Sequence, residues 1–227
     1  MRSVLVTGGS SGIGLAVVEA FRDAGDHVVS LDLAACPAAS VSVIGDVRDP
    51  ASHVQAVSAA VEARGGLDVL VANAGIHDGG LALDASPEDL AAVMRRVLDV
   101  DVLGYALAVQ AAAASLASRH GSIVMTLSDS TFLEGQTGAG LAYTSAKHAA
   151  HGLMRWCARA LAPDVRVNAV APGGVLTGLA AAQADGGMRG LFTDAQAKEQ
   201  VIRSRNPLGT IMAPSEVAAP LINHESM

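Results

Sequence analysis

Short β-branched and aliphatic runs alternate with longer Ala- and Leu-rich segments along the chain. The runs Ser3 to Thr7, His27 to Leu31, Val41 to Ile44, Asp68 to Ala72, Ser122 to Leu127 and Val165 to Val170 read as strands. Several are nearly continuous apolar runs rather than alternating ones, as strands covered on both faces require. Six strands separated by helical segments predict an α/β fold with a parallel sheet. Right-handed crossovers make it doubly wound, and the first five elements fit a Rossmann-type order. Ser86-Pro87-Glu88 reads as a helix start, with Ser86 as N-cap and Pro87 at the first helical position. That helix is expected to run to about Ser118, with an apolar stripe serving both core and subunit interface. Residues 173–206 break the pattern: glycines and polar residues surround a short possible helix near Asp194 to Ser204, and the stretch reads as a substrate lid.

The 227 residues suit one domain, 1–227, with a substantial core. A hydrophobic fraction of 51% with only 3% aromatics means that Ala, Val and Leu build that core, which lets helices lie close on the sheet. A net charge of −7 without any Lys/Arg cluster argues against a nucleic-acid partner and leaves small molecules or further copies of the chain. Cys36 and Cys157 form no CxxC pair and read as reduced packing residues. The first strand begins at Val4-Leu5-Val6, which leaves no room for a signal peptide, and no uninterrupted apolar stretch looks long enough for a bilayer. A cytoplasmic protein without a membrane partner is the expectation.

The segment Thr7-Gly8-Gly9-Ser10-Ser11-Gly12-Ile13-Gly14 follows the first strand and precedes a helical pattern from Leu15 to Ala24. Gly8 permits a sharp bend. Gly12 and Gly14 let backbone amides and the helix N-terminus approach a pyrophosphate, so Ser10, Ser11 and Ile13 join the glycines as cofactor-binding candidates. An ordinary glycine-rich turn would look the same in isolation. Asp32, followed by Leu33, supplies the support: at the end of the second strand its carboxylate can accept both adenosine ribose hydroxyls and would repel a 2′-phosphate. Ala34-Ala35 offers no basic residue to reverse that preference, so NAD is expected rather than NADP. Asp46-Val47 could give the adenine a carboxylate and an aliphatic wall. Far downstream, Tyr143 and Lys147 are one helical turn apart and share a face. A neighbouring ammonium favours phenolate over a phenol whose ordinary pKa is about 10, which makes the tyrosine a usable acid or base.

The ordered set resembles the short-chain dehydrogenase/reductase family over roughly residues 3 to 220. It comprises Thr7 to Gly14, Asn73-Ala74-Gly75, a serine after the fifth strand, Tyr143 with Lys147, and Pro172-Gly173-Gly174. Asn73-Ala74-Gly75-Ile76, Tyr143-Thr144-Ser145-Ala146-Lys147-His148-Ala149 and Leu161-Ala162-Pro163-Asp164-Val165-Arg166-Val167-Asn168 look most like the bacterial cis-dihydrodiol dehydrogenases of aromatic degradation. The resemblance implies that Tyr143 takes the hydroxyl proton while hydride passes to a nicotinamide, and that Lys147 holds the nicotinamide ribose and lowers the Tyr143 pKa. Ser128 would orient the reacting oxygen. Asn73, Ala74, Gly75, Pro172, Gly173, Val175 and Thr177 would line the cofactor. Two departures stand out. Ser128 lies fifteen positions before Tyr143, whereas Ser130 sits at the more usual thirteen; Ser128 with a two-residue insertion is favoured. Asp101 stands where the family usually has an asparagine in a proton relay, and it would form an ion pair if it faced Lys147.

The family usually continues into one more strand beyond the helix start at Pro214, so the sixth strand is expected to be an exposed edge. A homotetramer or homodimer through the two long helices is expected. The implied reaction is NAD-dependent oxidation of a secondary alcohol, with an aromatic cis-dihydrodiol as a candidate. The alternatives are a ketone or 3-oxoacyl reductase, against which Asp32 speaks, and a catalytically impaired dinucleotide-binding protein. His148 and His151 read as surface or interface residues rather than metal ligands, Trp156 as a packing or interface anchor, and Phe132 as a pocket residue. Asp129, Glu134 and His77 could approach the substrate.

Overall fold

The computed structural model describes residues 1–133, 138–191 and 195–223. Strands β1 (Ser3–Thr7), β2 (His27–Asp32), β3 (Val41–Ile44), β4 (Val69–Ala72), β5 (Ser122–Thr126) and β6 (Arg166–Val170) pair in parallel in the order β3-β2-β1-β4-β5-β6. Each lies within a residue or two of its expected position. β1, β4 and β5 are buried along their whole length, the reason their sequences do not alternate.

Successive side chains of β1 serve opposite layers. Leu5 joins one core with α2 (Pro50–Arg64), α4 (Gly104–Ser118) and α5 (Leu141–Ala160), through Ala56, Ala60, Ala108, Ala112, Leu116 and Ala150. Val4 and Val6 join the other, with Val17, Val18 and Phe21 of α1 (Gly12–Asp23) and Val217, Ala218 and Leu221 of α7 (Pro214–Asn223). The strand order reverses between β1 and β4, which opens a crevice at the C-terminal ends of the strands.

The helix expected from Pro87 to Ser118 is continuous but not uniform. α3 (Pro87–Leu98) starts under the Ser86 cap, whose Oγ accepts the Asp89 N–H at 3.0 Å. A π-helical turn at Asp99–Leu103 then separates it from α4. Such bulges redirect a side chain and recur at functional sites; here the bulge contains Asp101, which has no solvent exposure. By length and composition the 32-residue stretch Pro87–Ser118 could cross a membrane, which differs from the expectation that no segment could. In the fold it is a core helix, with Tyr105, Ala108, Ala112 and Leu116 buried.

Among the described residues β6 pairs with β5 alone and lies at the edge of the sheet. Residues 173–206 are more regular than their sequence suggests: they contain the antiparallel hairpin of β7 (Ala180–Ala182) and β8 (Met188–Gly190), then α6 (Ala195–Arg205). Asp194, where that helix was expected to begin, and the terminal His224 to Met227 lie outside the described residues.

Candidate active site

A cleft of about 1000 Å³ occupies the crevice. Gly8, Ser11, Gly12, Ile13, Asp32, Leu33 and Val47 line it around the first two strands, and Asn73, Ala74 and Gly75 follow from the end of β4. Gly8 has φ +70°, and a Cβ there would lie 2.7 Å from Ala74 Cα. A Cβ on Gly14 would lie 1.9 Å from Gly8 O, so Gly14 lets the turn fold back on itself rather than lining the cleft. Ser10 is likewise behind the wall: its N–H donates to Asp32 Oδ2 at 2.9 Å. With Ala34 N–H at 3.2 Å on Oδ1, Asp32 accepts two backbone bonds and retains acceptor capacity toward the cleft. Asp46 also faces the cleft, yet its carboxylate is held by Arg48, with Nε–Oδ1 at 3.0 Å and Nη2–Oδ2 at 2.6 Å. Val47 is held from behind by buried His53, whose Nε2 donates to the Val47 carbonyl at 2.7 Å. Asn73 ties three strand ends together: its Nδ2 donates to Thr7 O at 3.2 Å and its Oδ1 accepts from Thr126 Oγ1 at 3.1 Å. These glycines, amides and strand-end carboxylates form a cradle that fits a dinucleotide.

Tyr143 and Lys147 lie in the first turns of α5 and, as their spacing predicts, face the same cleft. Lys147 Nζ is 3.0 Å from Asp101 Oδ2 and donates to Thr126 O at 3.1 Å. The ion-pair contact lies off the hydrogen-bond direction, since Oδ2 receives no well-aligned donor. Asp101 Oδ1 accepts the Ile76 N–H at 2.9 Å, and a Cβ on Gly75 would lie 3.0 Å from Oδ2, so the chain after β4 closes tightly over the pair. Buried Tyr105 donates to the same Thr126 carbonyl at 2.8 Å. Burial pushes the Tyr105 pKa up to about 12.

The titration directions refine the expectation for Tyr143. Burial is the largest effect and drives its pKa above the ordinary phenol value; Lys147 and hydrogen bonding with Ser128 pull it down, while Asp101 and Asp129 push it up. Lys147 therefore acts in the expected sense, but its net result is overridden by burial and by its own counter-ion. Burial likewise opposes the Lys147 ammonium, and the Asp101 carboxylate turns the net direction upward, so the lysine stays charged.

Ser128 and Ser130 both line the cleft that Tyr143 faces, and hydrogen bonding with Ser128 bears on the Tyr143 titration. Ser128 Oγ donates to Asp129 Oδ1 at 2.9 Å and accepts the Ser130 N–H at 3.2 Å. Asp129 and His77 line the cleft, as do Pro172, Gly173, Val175 and Thr177. The His77 ring packs on Tyr143 at 4.6 Å between centroids. Its Nδ1 accepts the Gly79 N–H at 2.9 Å, so no proton lies between it and Asp78 Oδ1 at 3.5 Å, and burial lowers its pKa. Leu179, Leu191, Val201 and Ile202, from residues 173–206, give the cleft an apolar wall.

Of the remaining expectations, those for Phe132 and Trp156 change. Phe132 does not line the cleft; it is 62% exposed and meets His151 edge-on, while Leu133 takes the pocket position. Trp156 is 69% exposed, which removes packing within the chain and leaves the interface alternative of its expectation. His148 Nδ1 lies 2.9 Å from its own helix's Thr144 carbonyl, and among the described residues no group of three or more His, Cys, Asp or Glu could hold a metal. Cys36 and Cys157 are free and buried. Glu134 lies outside the described residues. Sequence reasoning missed Tyr105 and Thr126, which no motif marks.

A profile of the short chain dehydrogenase family matches residues 2–186. The chain is 35% identical to the 1,2-dihydroxy-1,2-dihydronaphthalene dehydrogenase of Pseudomonas putida, over 96% of this chain and 87% of that one. It is 37% identical to the 3-phenylpropionate-dihydrodiol/cinnamic acid-dihydrodiol dehydrogenase of Escherichia coli O8 (strain IAI1), over 97% of this chain and 84% of the relative. Its fold is similar to that of ligand-free aldohexose dehydrogenase from Thermoplasma acidophilum, with a TM-score of 0.81 at 29% identity, covering 97% of this chain and 85% of that one. Matching motifs, topology and near full-length similarity agree: the chain belongs to the short chain dehydrogenase family of nicotinamide-dependent oxidoreductases.

Proposed function

We propose that the chain is an NAD-linked dehydrogenase that oxidises one hydroxyl of a ring-borne vicinal diol, a cis-dihydrodiol, to give a catechol. The observation that carries the reading is the buried line Asp101–Lys147–Tyr143–Ser128, which opens onto the same cleft as Asp32. Asp32 favours adenosine ribose hydroxyls over a 2′-phosphate, and Arg48, which shares the cleft wall, is already spent on Asp46. Backbone amides of Ser11 to Ile13 at the start of α1 would hold the pyrophosphate, and Val175 and Thr177 the nicotinamide end. When bound, the nicotinamide supplies the hydride acceptor.

Tyr143 takes the hydroxyl proton in its ionised form, which its raised pKa makes scarce at neutral pH and alkaline pH favours, while the carbinol C–H bond breaks. Ser128 directs the oxygen toward it, and Lys147 stabilises the phenolate charge. Asp129, a hydrogen-bond acceptor beside Ser128, suits the second hydroxyl of a vicinal diol, and the apolar wall suits the hydrocarbon ring. The enone first formed shifts its remaining ring proton and becomes aromatic, which draws the oxidation forward. Both dihydrodiol dehydrogenase relatives support this substrate class. We further read exposed Leu103 and Trp156 as parts of a homodimer or homotetramer interface formed by the long helices. Sedimentation of a monomer alone at micromolar concentration would remove that part.

The deciding experiment titrates the protein with NADH and NADPH, then supplies NAD with naphthalene cis-dihydrodiol and a panel of secondary alcohols. Preference for NADH and release of a catechol support the reading. Preference for NADPH with reduction of ketones or 3-oxoacyl thioesters would replace it with a reductase, and binding without turnover would leave a dinucleotide-binding protein.

A further inference from the structure

Helix α5 begins without a capping side chain of its own, because the residue before it is Gly140. A side chain there has no room: a Cβ would lie 2.2 Å from Leu81 N. The acceptor comes instead from Asp78, 62 residues upstream in the loop after β4. Its Oδ1 accepts the Gly140 N–H at 2.9 Å and its Oδ2 accepts the Tyr143 N–H at 2.9 Å, from 65 residues away. Oδ1 also accepts the Gly80 N–H at 3.0 Å, which shapes the loop around the carboxylate. The Asp78 side chain has no solvent exposure. Tyr143 is the third residue of the helix, so this carboxylate satisfies the amide that an ordinary N-cap would satisfy, and it does so at the positive end of the helix dipole.

The same loop touches the site at three other points. Ile76 N–H donates to Asp101, the lysine's counter-ion. The His77 ring lies on the Tyr143 ring. The His77 backbone joins β7, donating to Ala180 O at 2.9 Å and accepting the Ala182 N–H at 2.8 Å. We propose that Asp78 is a positioning residue for Tyr143: it caps the catalytic helix from another part of the chain and sets the tyrosine's place relative to the hairpin that covers the cleft. The proposal rests on reading Tyr143 as the acid-base residue. Because small displacements of a reacting group cost large factors in rate, the role should appear in turnover rather than in cofactor affinity.

The test compares Asp78→Asn with Ser86→Ala, which removes the cap of α3 and touches nothing in the cleft. Asparagine turns one acceptor oxygen into an N–H₂ group that faces a backbone donor. Asp78→Asn should lower kcat about tenfold or more with the NADH Kd held within about twofold, whereas Ser86→Ala should keep kcat within about twofold even at a similar loss of Tm. Unchanged kcat in Asp78→Asn, or an equal loss in both variants, overturns the proposal. Native-state hydrogen exchange on the unaltered protein covers the case in which Asp78→Asn does not fold, or in which no alcohol is oxidised and the dihydrodiol reading itself fails. Gly140 and Tyr143 amides should exchange as slowly as those inside α5; exchange as fast as open loop amides overturns the assignment.

Discussion

Replacing Asp101 by asparagine isolates the charge at the centre of the site while keeping its shape. Asp101 is wholly buried and lies 3.0 Å from Lys147 Nζ. At an effective dielectric of about 20, two unit charges at that separation attract by about 5 kcal/mol before desolvation is counted. Breaking a buried pair by removing one partner costs roughly 3–5 kcal/mol, because the other charge is left uncompensated. Asparagine still accepts the Ile76 N–H and fills the same volume, so about 3 kcal/mol is the expected loss. For a chain of this size that lowers Tm by about 6–12 °C. The pH dependence follows from Lys147, whose folded pKa is raised. Its stabilisation is fully present below the unfolded lysine value of about 10.4 and is lost as pH rises through the folded value. The lysine's share of the gap between parent and Asp101→Asn should therefore be full at neutral pH and narrow in strong alkali. On the acid side burial raises the Asp101 pKa, so the folded parent takes up that proton before its unfolded chain does. Turnover tests the same pair. Asp101 pushes the Tyr143 pKa up directly, but it also holds the buried Lys147 ammonium charged, and that charge is the larger pull downward on the phenol. Without Asp101, burial favours the neutral lysine, so the limb of the kcat–pH profile set by Tyr143 should move to higher pH. Thermal melts and kcat–pH profiles of the two proteins are the assay. An unchanged Tm, or a limb that stays in place or moves to lower pH, would refute the reasoning.

Tyr143→Phe should reduce kcat by about 10²- to 10⁴-fold while NADH binding, measured by energy transfer from Trp156, is retained; loss of binding instead would make the tyrosine structural. Asp32→Ala should weaken NADH by about tenfold and relax discrimination against NADPH, since the ribose loses a charged acceptor; isothermal titration with both cofactors checks it. Asp129→Leu should reduce kcat/KM for a vicinal diol by about ten- to a hundredfold relative to a ring alcohol with one hydroxyl, and equal losses on both substrates would remove its specificity role. Burial lowers the pKa of His53, so the unfolded chain takes up a proton first as pH falls below about 6.5, and stability should decline from there until the folded histidine titrates as well. His53→Gln, which can still donate to the Val47 carbonyl, should flatten that acid slope in urea unfolding measurements.

What could be read from the chain and what could not divide along the range of the interaction. The strands, the start at Ser86-Pro87, the glycine turn and the one-turn spacing of Tyr143 and Lys147 all rest on contacts within a few residues, which local pattern encodes directly. Asp101 stood out only as an acid where the family resemblance expects asparagine, and an ion pair with Lys147 was one of its expected arrangements; the π-helical turn that delivers it inward leaves no mark that periodicity detects. Phe132 looked like a pocket residue because it follows Ser128, yet the short helical turn over Asp129–Thr131 changes the direction of the chain and hands the cleft to Leu133. Tyr143 is the sharpest case. Its spacing to Lys147 gives the correct sign of that pair's interaction, but the net direction of its pKa depends on burial beneath the loop after β4 and on Asp101 and Asp129, none of which is local to the helix. The same loop carries Asp78 to an amide 65 residues away. The identity of the proposed acid-base residue is thus a local property of this sequence, whereas its acidity and its position are tertiary properties. That division is why substitutions at Asp101 and Asp78, rather than at Tyr143 itself, discriminate between a tyrosine merely present and one tuned for transfer.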